Sequence, residues 1–273
     1  MTIPYDQRRL GKHDRKQDPR TVRLGDFVHG KLAPPPAIDW AKHTVGRFPL
    51  WGNDSISDCT CVAAGHLIEL WTAVAKGDPT KIGAPAVLSA YAAVSGYDPH
   101  KGTHDHGAHM LDVLKHWRRH GIGGHPICGY AYVDPSDRAE LSSAVAAFGG
   151  AYLGFKLPLT AKRAGVWDVP KEGLVRDGAF GSWGGHTVCV VGFDHEGVTV
   201  ATFGERQRVT WAFVEAYSDE AYAVVSEDFV RVHTHKTPSG FAIEALLQDL
   251  RRFDRDAVVG TVPLDAHAPS KQR

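Results

Sequence analysis

The chain has 273 residues, of which 43% are hydrophobic and 23% are charged, a composition typical of a folded protein with a sizeable core and not of a disordered or fibrous one. Its 31 Lys and Arg residues balance its 31 Asp and Glu residues, so no net charge draws it to nucleic acid or to an anionic membrane. The amino terminus lacks the apolar stretch of a signal peptide, and no run is long enough to span a bilayer. We therefore expect a cytoplasmic protein with neither nucleic-acid nor membrane partners, whose four cysteines stay reduced.

The first half of the chain is predicted to be an amino-terminal arm followed by helices. Residues 1–33 carry scattered charges with little periodicity, and Pro34 to Pro36 then stiffen the backbone. Apolar residues recur at three- and four-residue spacings from Cys59 to Lys76, which predicts a helix with a buried face and with Asp58 at its N-cap position. Further helices are predicted at Ala84–Ser95 and at Ala108–His120, the second ending at a glycine.

The second half is predicted to be mostly β. A helix at Ser136–Phe148 precedes apolar, β-branched runs that predict strands, with a hairpin connection between the second and third of them at residues 194–197. Residues 231–273 form a carboxy-terminal extension that contains one predicted helix, Phe241–Phe253. The predicted strands are Ala151–Phe155, Thr187–Phe193, Val198–Phe203 and Ala221–Ser226.

Cys59 is the best candidate for a nucleophile. It follows a short polar loop and begins the predicted helix, where unpaired backbone N–H groups and the helix dipole stabilise a thiolate. A small buried hydrophobe is the other interpretation, because most free cysteines in proteins are of that kind. Cys61 ranks second, since it lies further into the helix and on a different face.

The sequence predicts no metal site and no cofactor. Cys59 and Cys61 are too close together for a structural zinc site, which also needs a second pair of ligands. Four histidines lie close together in the chain, an arrangement that can chelate zinc or nickel but that more often belongs to a solvated loop. They are His100, His104, His106 and His109.

His186 is the best candidate for the base that would activate Cys59. Two glycines precede it and an apolar run follows it, so it begins a predicted central strand from which its ring can reach a cleft. A histidine that merely ends a strand is the alternative. The combination with Cys59 distinguishes the two interpretations.

From about Pro36 to Ser226 the chain resembles the papain family of cysteine peptidases. Pro36-Ala37-Ile38-Asp39-Trp40 is similar to the opening of the mature enzymes, and residues 185–193 are similar to the family's His-Ala-Val-x-x-Val-Gly-Tyr segment. The resemblance implies an α+β, papain-like fold over residues 34–230. A helical lobe of residues 34–130 would pack against a β-rich lobe of residues 131–230, with the active site in the cleft between them.

The resemblance also implies roles for particular residues. Asn53 stands six residues before Cys59, where the family has the glutamine of the oxyanion hole, and its carboxamide is the same kind of donor. Asp105-His106-Gly107-Ala108 is similar to the family's Asn-Gly-Gly segment, so Gly107 would border the cleft that receives substrate side chains.

The chain departs from the family at several places. Thr60 replaces the tryptophan that follows the nucleophile, and Ile56 stands in place of a cysteine that forms a family disulfide. The segment that should orient the histidine reads Ala201-Thr202-Phe203-Gly204, which places Ala201 at the orienting position and leaves Thr202 as a possible substitute. No long inhibitory segment is recognisable before residue 34.

The expected function is that of a cysteine-dependent hydrolase, a peptidase that acts on a peptide or protein through an acyl-enzyme on Cys59, with His186 as base. Asp58-Cys59-Thr60 is also similar to the Asp-Cys-Ser segment of a class of cell-wall peptidases, although the spacing to Asn53 favours papain. Two alternatives stay open: a catalytically weak or inactive binding module of the same fold, and an amide ligase or acyltransferase that uses the same thiol.

Overall fold

The structure is a computed structural model that describes residue 4 and residues 7–28, 34–44 and 48–229. The predicted helix Phe241–Phe253 and residues 231–273 lie outside the described residues. The helices are α1 (Gly25–Val28), α2 (Cys59–Lys76), α3 (Gly83–Ser95), α4 (Met110–His120), α5 (Arg138–Phe148) and α6 (Trp211–Tyr217). The strands are β1 (Ile38–Asp39), β2 (Gly129–Val133), β3 (Ala151–Leu157), β4 (Val166–Trp167), β5 (Gly184–Phe193), β6 (Gly197–Thr202), β7 (Glu205–Thr210) and β8 (Ser218–Val225).

Helix α2 has the bounds that the apolar spacing predicts, and it is the central helix of the fold. It ends where Gly77 adopts a left-handed conformation with φ 78°, as helices commonly do at glycine. Its residues are buried along most of its length, and it packs on strand β5 and on helix α3. Two buried hydrogen bonds connect the helix to the rest of the fold. The Tyr152 hydroxyl donates to the Thr60 carbonyl at 2.7 Å, and the Trp71 indole N–H donates to the Phe148 carbonyl at 2.8 Å.

The strands form one mixed sheet in the order β2-β8-β3-β5-β6-β7-β4, and β1 pairs with β5. All the pairs are antiparallel except the parallel pair of β4 with β7. Strand β5 lies in the middle, which places His186 opposite Phe155 of β3. The hairpin predicted at residues 194–197 is confirmed, because the Asp194 N–H donates to the Gly197 carbonyl at 2.9 Å.

Some predicted bounds are wrong for identifiable reasons. Helix α4 begins at Met110 and not at Ala108, because the Ala108 N–H donates to the Gly11 carbonyl at 2.8 Å and so takes part in an extended contact with the arm. Strand β7 has no apolar run to indicate it, since its sequence is Glu-Arg-Gln-Arg-Val-Thr, and it forms through a tight turn after β6.

Residues 8–24 of the arm lie along the molecule without forming a helix or a strand. Residue 12 forms an isolated parallel bridge with Ala108, and residue 23 forms another with Tyr132 of β2. Near the second bridge, the Leu24 N–H donates to the Tyr132 carbonyl and the Tyr132 N–H donates to the Val22 carbonyl, at 2.8 and 2.7 Å.

Helices and sheet share one cluster of buried hydrophobic side chains, to which α2, α4 and α5 contribute together with β3, β5 and β8. The α+β class predicted from the sequence is confirmed. The division of residues 34–230 at residue 130 stays a prediction.

Candidate active site

Cys59 is the first residue of α2, and its side chain is buried. The backbone N–H groups of Thr187 and Gly11 both lie against its thiol. Burial raises the pKa of Cys59 to about 12. Cys61 is buried in the hydrophobic cluster, and burial raises the pKa of its thiol well above the ordinary value.

Asp58 occupies the N-cap position of α2, as predicted, but its side chain caps nothing. It is fully buried, and neither carboxyl oxygen has a hydrogen-bond partner among the described residues. Burial, together with the negative charge of Asp105, raises the pKa of Asp58 to about 8. The residue beside Cys59 is therefore a neutral carboxylic acid at neutral pH and not a capping carboxylate.

His186 lies near the start of β5 with its ring buried. Its Nε2 is hydrogen-bonded to Thr202 Oγ1 at 2.6 Å, and its Nδ1 has no hydrogen-bond partner among the described residues. Burial lowers the pKa of His186 to about 3, and the positive charge of Arg8 lowers it further. When Nε2 carries the proton it donates to the Thr202 hydroxyl, and Nδ1 is left as the basic nitrogen.

A strained turn after Thr202 places an aromatic ring on His186. Phe203 has a positive φ of 49° and Gly204 one of 78°, and Thr202 pairs with Glu205 across this two-residue turn. The Phe203 ring is stacked on the His186 ring, with centroids 4.4 Å apart and planes 8° apart. Such a conformation is unfavourable for a bulky residue, so the turn holds Phe203 over the histidine at some cost in backbone energy.

Asn53 is buried in the loop before α2, and it contacts the arm through both its backbone and its side chain. Its side-chain amide donates to the Arg9 carbonyl at 3.2 Å, and the Arg9 N–H donates to the Asn53 backbone carbonyl at 3.3 Å. The donor that the resemblance assigns to the oxyanion hole therefore already binds a peptide carbonyl, that of the arm.

The arm passes directly over Cys59 at Gly11. A Cβ at this position would lie 1.9 Å from the Ser57 carbonyl oxygen, and a Cβ at Gly107 would lie 2.0 Å from the Gly11 carbonyl oxygen. A Cβ at Gly185 would lie 2.1 Å from the Lys12 carbonyl oxygen. Three glycines, two in the cleft and one in the arm, thus permit backbone to lie against backbone. Gly107 borders the segment of cleft that the arm fills.

The structure brings the predicted residues close together beneath the arm. Thr202 contacts His186, Cys59 lies against the backbone of Thr187, the residue after His186, and Asn53 and Gly107 both adjoin the arm above Cys59. With the arm in place, Cys59 and His186 are both neutral, because burial disfavours the thiolate and the imidazolium alike.

Sequence reasoning missed the part that the arm and Phe203 take in this site. The arm carries no periodicity that would indicate where it binds. Phe203-Gly204 before a charged strand is a local signal for a tight turn, but the stacking on His186 depends on the pairing of β5 with β6.

Within residues 7–28, 34–44 and 48–229, no group of three or more His, Cys, Asp or Glu side chains is arranged to hold a metal ion. No helix in the part of the chain that the structure describes is long and apolar enough to cross a membrane. All four cysteines carry thiols and form no disulfide.

The chain is similar in structure to several solved cysteine proteases, although no protein-family model and no curated protein matches its sequence. Xylellain, a cysteine protease from Xylella fastidiosa, superposes with a TM-score of 0.59 at 16% identity and covers 81% of this chain and 97% of its own. The procathepsin B S9 of Trypanosoma congolense superposes with a TM-score of 0.54 at 12% identity and covers 84% of this chain and 89% of its own. The proform of the ragweed pollen allergen Amb a 11, also a cysteine protease, gives a TM-score of 0.51 at 13% identity and covers 78% of this chain and 72% of its own. Together with the buried cysteine and histidine of its cleft, these likenesses show that the chain has the papain-like cysteine protease fold, in a divergent form.

Proposed function

We propose that the chain is a cysteine-dependent peptidase that cleaves amide bonds through an acyl-enzyme on Cys59. The observation that carries the proposal is the state of His186, whose Nε2 is held by Thr202 at 2.6 Å while its buried Nδ1 is unpartnered among the described residues. A histidine held in this way has one nitrogen left for proton transfer. Cys59, at the start of a helix beside the same strand, is the nucleophile that such a base activates.

Displacement of the arm is the first step of the proposed reaction. Solvent then reaches the pair, the burial that keeps both groups neutral is relieved, and the N-terminus of α2 favours the thiolate. The Cys59 proton passes to Nδ1 of His186, which leaves a thiolate and an imidazolium whose Nε2–H donates to Thr202.

The thiolate then attacks the substrate carbonyl carbon, and the π electrons of the C=O bond move to its oxygen. In the proposed reaction the Asn53 side-chain amide and the Cys59 N–H donate to that oxyanion. As the C–N bond breaks, the imidazolium transfers its proton to the leaving amine. A water molecule, deprotonated by the neutral histidine, attacks the thioester, and the carboxylic acid leaves as the thiol is restored.

The test uses the full chain and a fluorogenic peptide library at pH 5 to 8. Because the arm covers Cys59, the Gly11→Ala variant is measured beside the wild type. We expect turnover that Cys59→Ser and His186→Ala each reduce by about a thousandfold or more. Cys128→Ser is the matched control, since the Cys128 thiol contacts Glu227, a residue that is not part of the proposed site, and it should retain activity.

Alkylation of Cys59 by iodoacetamide, followed by peptide mass spectrometry, separates the outcomes. Labelling below pH 7 that depends on His186 supports the thiolate–imidazolium pair. Failure of both turnover and labelling in wild type and Gly11→Ala, while Cys128 is labelled, would sink the proposal and leave the binding module as the better interpretation. Acyl transfer to an added amine in place of water would indicate the ligase or acyltransferase alternative.

A further inference from the structure

Among the described residues of the arm, Lys12 is the most deeply buried cation, and none of its side chain is exposed. Its Nζ lies 2.7 Å from Asp219 Oδ2 and 2.9 Å from Glu220 Oε1, and it donates to the His13 carbonyl at 3.0 Å. A lysine side chain loses much conformational entropy when it is buried. Its position at the inner end of a pocket therefore requires contacts that compensate for that loss.

The pocket around Lys12 is built by the folded body of the protein. Strand β8 supplies the two acids, and Gly154 of the neighbouring strand β3 forms a wall together with Met110 of α4. A Cβ at Gly154 would lie 2.3 Å from Lys12 Cε and 2.6 Å from Met110 Sδ. The pocket therefore exists because residue 154 has no side chain.

The charges of the pocket require a cation. Glu220 is 1% exposed, and its other oxygen accepts a hydrogen bond from the Tyr222 hydroxyl at 3.0 Å. Asp219 Oδ1 is also buried and has no hydrogen-bond partner among the described residues. An apolar side chain in this place would leave Glu220 buried and Asp219 half-buried without a counter-charge, which is costly in a low dielectric.

The pocket opens beside the nucleophile. Lys12 follows Gly11, whose N–H lies against the Cys59 thiol, and the N–H groups of both arm residues point to the Gly185 carbonyl, at 3.2 and 3.0 Å. Gly185 is itself next to His186. A peptide bound along the same backbone groups would place one of its side chains in the pocket, one residue away from the position that faces Cys59.

We propose that the pocket formed by Asp219, Glu220 and Gly154 selects a basic side chain, lysine or arginine, of the peptide substrate, and that Lys12 fills it when the arm covers the cleft. This inference rests on the peptidase function proposed above. It assigns to that function a substrate class, peptides with a cationic residue close to the scissile bond.

The test compares two tripeptidyl chloromethyl ketones that differ at one side chain, lysine or norleucine, in the residue next to the one that carries the reactive group. Norleucine has the length of lysine without its charge. The rate of Cys59 alkylation in the full chain is followed by intact mass. We expect the lysine reagent to react about tenfold faster or more, because an ionic hydrogen bond in a buried site contributes at least that factor.

The variants separate charge from shape. Asp219→Asn with Glu220→Gln should abolish the preference for lysine, and Gly154→Ala should slow the lysine reagent by filling the pocket. The matched control Glu215→Gln removes an exposed acid of α6 and should leave the preference unchanged. Circular dichroism establishes that each variant is folded, and the single variant Asp219→Asn serves if the double variant is not.

A second measurement does not depend on a reactive thiol. Binding of the same two tripeptides as amides to the Lys12→Met chain is measured by calorimetry, and we again expect the lysine peptide to bind about tenfold tighter. If the lysine preference appears in binding while neither reagent alkylates Cys59, the pocket stands and the peptidase function fails. If Cys59 is alkylated equally fast by both reagents, or the preference survives in the variant without the acids, the pocket proposal is overturned and the peptidase function stands.

Discussion

Thr202 places a hydroxyl against His186, where the resemblance implies a carboxamide. The position that the resemblance assigns to the orienting residue is Ala201, which is buried and has no polar side chain. The next residue places Oγ1 2.6 Å from His186 Nε2, and Phe203 covers the ring from one face. In the proposed mechanism Thr202 is a positioning residue that acts through the histidine.

Replacing Thr202 with valine tests this role at nearly constant volume. Loss of the hydroxyl removes one hydrogen bond to a group that becomes charged, and kcat/KM should fall about 10- to 100-fold, mostly in kcat. The variant also loses an acceptor for the imidazolium. The alkaline limb of the pH profile, where the imidazolium loses its proton, should therefore move to lower pH.

Steady-state kinetics from pH 5 to 9 provide the measurement for Thr202. Thr202→Ser should restore most of the activity because it keeps the hydroxyl, and Thr199→Val, on the same strand, should have little effect. Equal kinetics for wild type and Thr202→Val would show that the hydrogen bond plays no part in catalysis.

Among the elements, the arm decides the state of the cleft. It makes backbone hydrogen bonds to both sides of it, to Asn53 and Ala108 on one side and to Gly185 on the other. Ion pairs add to these contacts, between Arg8 and Glu205 and between Lys12 and the acids of β8. The arm approaches the backbone of the folded body very closely at Gly11. Its position over Cys59 therefore depends on the absence of a side chain at residue 11.

The variant Gly11→Ala should unseat the arm, since its Cβ would lie 1.9 Å from the Ser57 carbonyl oxygen, where backbone cannot move aside cheaply. Iodoacetamide should then alkylate Cys59 about tenfold faster or more at pH 7, as exposure relieves the burial that raises the pKa of its thiol. Peptide mass spectrometry measures the rate, with Cys128 as the internal reference.

Gly165→Ala is the matched control for the arm, because a Cβ at residue 165 meets no atom within 4 Å. It should label Cys59 at the wild-type rate. An unchanged rate in Gly11→Ala would mean that the arm does not limit access to the thiol.

For the whole molecule, the free energy of unfolding is lowered by titratable groups that are buried with few hydrogen-bond partners near the centre of the fold. Asp58, His66 and His186 are all buried. Burial raises the pKa of Asp58 and lowers the pKa of His66 to about 4, as it lowers that of His186. All three are therefore neutral in the folded protein at neutral pH, and the free energy of unfolding depends on pH through each of them.

The sign for Asp58 follows from its two pKa values. The folded chain keeps the proton up to about pH 8, and the unfolded chain loses it near the ordinary value of 3.8. Between these values the folded state binds more protons, so stability falls as pH rises, with a slope approaching roughly 1.4 kcal/mol per pH unit. The histidines contribute the opposite slope below about pH 6.5, and Glu69, whose pKa burial raises to about 7, contributes a slope of the same sign as Asp58. Comparison of the wild type with a variant of Asp58 therefore isolates its carboxyl.

We therefore expect Asp58→Asn to be more stable than the wild type at pH 8, with a difference that shrinks as pH falls to 6.5. Urea unfolding at pH 6.5, 7.25 and 8 measures it, and Asp54→Asn, an exposed acid in the same loop, is the control that should change little. A difference that is constant with pH would show that Asp58 is not protonated in the folded state.

Sequence patterns were sufficient for most of the elements and for the pairing of Cys59 with His186 as candidates. Helix α2 was predicted with the bounds it has, because apolar spacing over five turns and a following glycine are strong local signals. Strand β7 could not be predicted, since its charged residues are held by pairing with β6 and not by burial of an apolar face. The resemblance placed Asn53, Gly107 and Thr202 near the site because residue order along a shared fold determines which loops meet.

By itself, then, the sequence determined the α+β class, the central helix that begins at Cys59 and the glycine-preceded strand that carries His186, since hydrophobic periodicity and glycine positions are local properties. Only the tertiary structure decided that the arm lies over Cys59, that Lys12 enters a pocket of two acids, that Thr202 holds His186 and that Asp58 is buried without a cap. These features depend on contacts between residues distant in the chain, such as the 207 positions that separate Lys12 from Asp219. Burial and charge pairing at such distances leave no periodic trace in the sequence.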